Sequence, residues 1–170
     1  MKIVASSESR KWADLSEDAI CDFMSKHAVS ILRYAMATIF IWFGALKLLP
    51  GVSPAETLAG RTLSAMTFGL LQPKVSLPLL AVFEMTIGFG FAFARNLRST
   101  IVLLMMHMAG TLTPFLFFPH ETMSSFGVPT MTGQYILKNM VFIAVGFVMI
   151  GSLKSRNQAP ELQTSLETNS

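Results

Sequence analysis

Five ionisable side chains fall inside long apolar stretches of this chain: Arg33, Lys47, Glu84, His107 and Lys138. Thr111, Thr113, Gln134 and Asn139 stand near them in sequence. A charge surrounded by hydrocarbon is costly, so each such residue is a candidate functional group. Glu84 is the most demanding of the five. It lies seven residues after Leu77, about 10 Å along a helix at 1.5 Å per residue. A carboxylate cannot reach back to a membrane surface as a lysine does, so it must be protonated, meet water or pair with a cation. Lys47 and Lys138 fall in the same half of the expected bilayer, and pairing Glu84 with one or both is the least costly arrangement. His107, with Thr111 one turn on, adds a group able to move a proton. The candidate cluster is therefore Lys47, Glu84, His107, Thr111, Gln134, Lys138 and Asn139.

Other chemistries find fewer residues. Cys21 is the single cysteine of the chain, which excludes an intramolecular disulfide, a CxxC pair or a cysteine-rich metal site. Paired histidine ligation of haem would need a second histidine at depth, and His27 and His120 fall at or beyond the boundaries. Haem and metal are therefore not expected. Arg33, about one turn inside its stretch, reads as an anchor reaching lipid phosphates, with Asp22 as an alternative partner.

The elements that must hold these groups follow from composition. Of 170 residues, 52% are hydrophobic and 14% charged, and the mean hydropathy is +0.53. A soluble domain carries roughly 25% charged residues; the deficit here, with apolar residues in long runs, indicates an integral membrane protein. The formal charge of +3 comes from dispersed Lys and Arg rather than a basic stripe, so a nucleic-acid partner is not expected.

A crossing helix needs about 20 mostly apolar residues. Four segments qualify, near 29–49, 77–94, 100–118 and 135–153. The expected fold is an all-α, four-helix transmembrane bundle over residues 28–153. Basic residues set its orientation. Lys2, Arg10, Lys11, Lys26, Arg95, Arg98, Lys154 and Arg156 fall on one side against Arg61 and Lys74 on the other, placing both termini in the cytoplasm. Residues 1–27 form a cytoplasmic arm in which Trp12, Leu15, Ala19 and Phe23 share a helical face, predicting an amphipathic helix on the interface. Residues 154–170 are polar and read as a disordered tail. Ser53-Pro54-Ala55-Glu56 predicts a helix start and Gly69 its stop. The loop from Pro119 to Gly133 is expected to be irregular, a lid at most. Pro114 should free the carbonyl of Gly110 and kink the third span beside His107. Gly88 and Ala92, four and eight residues after Glu84, turn that face toward other helices.

These segments also carry a family resemblance. Leu32-Arg33-Tyr34 with Ile41-Trp-Phe-Gly-Ala-Leu-Lys47, then Phe83-Glu84 with Ile87-Gly88, resemble the first two spans of the DoxX-like membrane proteins. His107-Met-Ala-Gly-Thr-Leu-Thr-Pro-Phe115 and Gly133-Gln-Tyr-Ile-Leu-Lys-Asn139 resemble the later spans of the branch that includes the bacterial reactive-chlorine-resistance membrane protein. Over about residues 29–153, the resemblance implies a multi-pass protein of the bacterial inner membrane with a four-helix bundle. It also implies a redox- or oxidative-stress-associated accessory subunit, with quinone as a possible ligand. The alternatives are an assembly factor that binds lipid or another membrane protein, itself included, and a small proton-coupled carrier. An accessory role is expected over an independent enzyme.

Overall fold

A computed structural model describes the backbone of residues 2–49, 51–52 and 56–167, and the side chains of residues 17–49, 51–52 and 56–154. The chain opens with one uninterrupted helix, α1 (Lys2–Leu46). The arm of residues 2–27 and the first long apolar segment are continuous along this helix. No Gly or Pro occurs before Gly44, and a helix once begun extends at little cost where no breaker intervenes. Trp12 and Leu15 lie outside the residues whose side chains are described; Ala19 and Phe23 are exposed.

Three more helical segments are long and apolar enough to cross a membrane. The helix α3 (Pro73–Phe93) begins four residues before the expected boundary, with proline at its first position, where the missing N–H is no loss. The next segment is α4 (Leu97–Leu112) continued by α5 (Pro114–Phe117). The break at Thr113 is the expected kink, and the Gly110 carbonyl freed by Pro114 accepts from Thr113 Oγ1 at 2.7 Å. The last segment is α7 (Met131–Lys138) and α8 (Met140–Glu167), with a tight turn at Asn139 whose N–H donates to the Ile136 carbonyl. The backbone of α8 runs on through the polar residues after Lys154, to Glu167. Polar residues such as Lys, Gln and Glu are good helix formers, and the preceding span supplies the nucleus.

Two shorter regions cap one end. The helix α2 (Glu56–Met66) ends in a Schellman turn. Gly69 N–H donates to Ser64 O at 2.8 Å and Phe68 N–H to Ala65 O at 3.2 Å. The reversal occupies two left-handed residues, Phe68 at φ 53° and the expected Gly69 at φ 81°. The Ser53-Pro54 start signal lies outside the described residues. The segment expected to be an irregular lid is ordered instead. It folds as α6 (Pro119–Thr122) and a hairpin of β1 (Met123–Ser125) with β2 (Val128–Pro129). Its register is held where Thr130 donates through N–H to Thr122 O and through Oγ1 to Glu121 O. Those side chain and backbone donors satisfy the loop without a core, which a composition-based reading of prolines and glycines does not reveal.

The buried apolar core draws on all four long segments: Met36 and Phe40 of α1, Ile87 and Phe91 of α3, Leu104 and Met108 of α4, Val145 and Met149 of α8. The most extensive packing between two elements is that of α1 against α3, which run antiparallel. A Cβ on Gly88 would lie 2.6 Å from Ile41 Cγ1 and 3.1 Å from Ala37 O. A Cβ on Gly44 would lie 3.1 Å from Ala81 O and 3.2 Å from Glu84 Cβ. Two glycines, one from each helix, thus bring the backbones close enough to set Glu84 against the end of α1.

Candidate site: a buried Lys-Glu-His triad

Glu84 projects from α3 into the space between α1 and α4. Its Oε2 accepts from Lys47 Nζ at 2.7 Å, and its Oε1 lies 3.3 Å from His107 Nε2. The Lys47 and Glu84 side chains are only 10% and 8% exposed, so the pair is removed from solvent on both sides. His107 is equally enclosed, with the rings of Phe40 and Phe83 edge-on to it at centroid distances of 5.5 and 5.8 Å.

The geometry of each member follows from its element. Glu84 is eleven residues into α3, about 16 Å from its start; it is deeper than expected because the helix begins at Pro73. Lys47 follows the last residue of α1. Its ammonium turns back alongside that helix, also lying 3.4 Å from Phe43 O, where a cation meets the negative end of the helix dipole. Lys47 thus points inward, to the Glu84 carboxylate that its depth along the chain suggested as a partner. His107 lies ten residues into α4, on the same buried face as Leu104 and Met108.

Of the seven candidate residues, the fold brings together Lys47, Glu84 and His107. Thr111 bonds within its own helix, donating to Met108 O at 2.9 Å. Gln134 and Lys138 are exposed and Asn139 is half-buried at the helix break. Lys138 rests over the ring of Tyr135 at 5.0 Å instead of reaching Glu84. The reason is angular: α7 buries Gly133 and Ile136, and a residue two positions on from Ile136 points about 200° away. Arg33 is half-buried, its guanidinium 4.7 Å above the Tyr34 ring. Asp22 is not its partner, being paired with Lys26 at 2.6 Å. Phe40, Phe83 and Gly44 were absent from the candidate residues although they shape the site. Gly44, three residues before Lys47, gave a legible signal through its helical spacing.

Chemically, the triad holds a carboxylate with a neighbour at each oxygen. A proton can be shared along the Glu84–His107 edge while Lys47 balances charge on the other. Glu84 and His107 are both metal-ligand types, but among the described residues no third His, Cys, Asp or Glu joins them. An apolar groove of about 530 Å³ runs along α1 and is lined by Tyr34, Thr38, Trp42, Ala45 and Leu49 with Ala92 of α3. No member of the triad lines it. Compared with family models, curated proteins and solved structures, the chain matches none of them.

Proposed function

We propose that this protein is a non-catalytic accessory protein of the bacterial inner membrane, four-helical, with both termini in the cytoplasm. In this reading the Lys47–Glu84–His107 triad is a lock that fixes three spans against one another. The setting is the redox or oxidative-stress role that the DoxX-like resemblance implies. One observation carries the reading: both oxygens of Glu84 already have neighbours, and the three side chains are almost fully enclosed. The carboxylate already has its cation and its imidazole in place. A buried ionic group of this kind is costly to leave without its partner, which is what a lock between spans requires. The basic residues at the α1 side, the α3–α4 turn and the tail support the orientation.

The test is to isolate the tagged protein from native membranes in mild detergent, with and without Glu84→Gln, and identify what accompanies it by mass spectrometry. The expected result is lipid and a reproducible protein partner. Glu84→Gln should lower the folded yield, because Lys47 then lacks its counter-charge. Near-stoichiometric quinone that disappears in Glu84→Gln, from a variant that folds and melts normally, would replace the lock with a quinone site.

A further inference from the structure

Arg33 is a charged member of the first span that the triad does not employ. Lys47, Glu84 and His107 answer one another, whereas Arg33 has no carboxylate partner among the described residues. Its guanidinium is seated 4.7 Å over the Tyr34 ring, a contact that favours a fixed position for the cation. The Nε is enclosed there without a hydrogen bond, while the two terminal nitrogens are neither enclosed nor bonded among the described residues. A cation held in place with two open donors at the edge of a bilayer calls for an anion.

Tyr34 also begins the apolar groove of about 530 Å³. The groove passes Thr38, Trp42 and Ala45 on its way to Leu49, with Ala92 of α3 on its other wall. From Tyr34 to Leu46 the helix advances about 18 Å. The acyl chains of one leaflet occupy about 15 Å, half of the hydrocarbon layer. The mouth of the groove lies at a basic end of the bundle. Gly88 lies against Ala37 and Ile41, so the antiparallel α3 ends, at Phe93, near the level of Tyr34. Arg95 and Arg98 follow directly, both exposed and without a carboxylate partner among the described residues.

We infer that the groove and Arg33 together form a binding site for one anionic phospholipid. An acyl chain lies along α1 between Tyr34 and Leu46, and the terminal nitrogens of Arg33 hold the phosphate. A planar fork of parallel donors matches phosphate oxygens, which an ammonium does not. Arg95 and Arg98 select a head group with net negative charge. Other occupants satisfy one half of the site only. A quinone brings a long tail but a neutral head, and leaves Arg33 unanswered. Free phosphate answers Arg33 and leaves the groove unused. The groove also separates this site from the diffuse attraction of basic flanks for anionic lipid, since it gives the chain a fixed place beside its head group.

Trp42, within the groove, reports on its occupant. Trp12 is the other tryptophan of the chain, so a Trp12→Phe background leaves Trp42 as the single indole. The full chain is reconstituted in phosphatidylcholine vesicles with a minor share of phosphatidylglycerol. Brominated acyl chains are carried by one lipid or the other, and the quenching of Trp42 gives the preference between them. The expected result is quenching by brominated phosphatidylglycerol well beyond its share. Arg33→Gln should lower that preference about tenfold, the scale of one charge-assisted hydrogen bond. Arg33→Lys should lower it too, because the fork is lost while the charge stays. Thr38→Phe should lower it with Arg33 intact, by filling the groove. Lys26→Gln, which removes a charge beyond the same end of the span, should leave it unchanged, as should added inorganic phosphate.

Equal quenching by the two lipids would overturn the inference. So would equal losses in Arg33→Gln and Lys26→Gln, which describe diffuse attraction, or a preference untouched by Thr38→Phe. Loss of the preference on adding inorganic phosphate would reduce the site to a phosphate contact and overturn it as well. The melting temperature of each variant, measured in parallel, shows that the compared proteins are folded.

Discussion

Two ion pairs in this molecule have the same length and opposite surroundings. Lys47–Glu84 and Arg61–Glu121 both close at 2.7 Å. The first is enclosed between α1, α3 and α4; the second joins α2 to α6 with its side chains 47% and 45% exposed. Arg61 also lies 4.4 Å above the Phe118 ring, so the cap is held by a planar cation over an aromatic face as well as by charge. Distance alone would rank the pairs as equals. Burial separates them, since a charge left alone in a low-dielectric site has no solvent to fall back on. The cap pair is an adjustable tie between two surface elements, and the triad an obligatory one between three buried faces.

That contrast yields graded expectations. Lys47→Ala should have the largest effect, about 3–5 kcal/mol of destabilisation, because it leaves Glu84 buried without its cation. Thermal unfolding in detergent measures it, and a loss under about 1 kcal/mol would mean the triad is hydrated in solution. The double replacement Lys47→Met with Glu84→Leu should recover much of that loss, as removing both charges removes the penalty of either alone. A double variant as unstable as Lys47→Ala would show that the charges do more than cancel.

Gly88→Leu should cost about 1–3 kcal/mol by forcing α1 and α3 apart, since even a Cβ meets Ile41 there. It should also loosen the triad, making the unfolding of this variant less sensitive to a further Lys47→Ala change. Smallest is Arg61→Ala, about 0–1 kcal/mol. Its effect should shrink as salt is raised, because exposed charges are screened over about 8–10 Å at ordinary ionic strength and buried ones much less. Equal salt sensitivity of Arg61→Ala and Lys47→Ala would erase the distinction between the two pairs.

The two regions also differ in how far they could be read in advance. Spans show in the sequence because most residues crossing hydrocarbon must be apolar, so the signal is repeated many times in a stretch of some twenty residues. The kink at Pro114 and the small-residue face at Gly88 are equally local. They follow from a missing N–H and a missing side chain, and both occur where expected. The cap was read less well. Its hairpin is held by Thr130 bonding to Thr122 and Glu121, contacts between a few polar atoms that leave no periodic trace. The uninterrupted α1 shows a further gap, since composition marked a change from arm to span that the backbone does not mark.

Residue type and spacing alone determined that this chain has four segments suited to a membrane, that Glu84 requires a partner there, and that Lys47 is near enough in depth to provide one. Only the tertiary structure decided between Lys47 and Lys138, added His107 at the second oxygen, and left Thr111, Gln134 and Asn139 outside. The reason is geometric. Depth along a helix follows from counting residues, but the direction of a side chain around the axis changes by about 100° per residue. Which faces meet depends on where each helix begins, breaks and touches its neighbour. Here those choices were made by Pro73, by the turn at Asn139 and by the paired glycines 44 and 88.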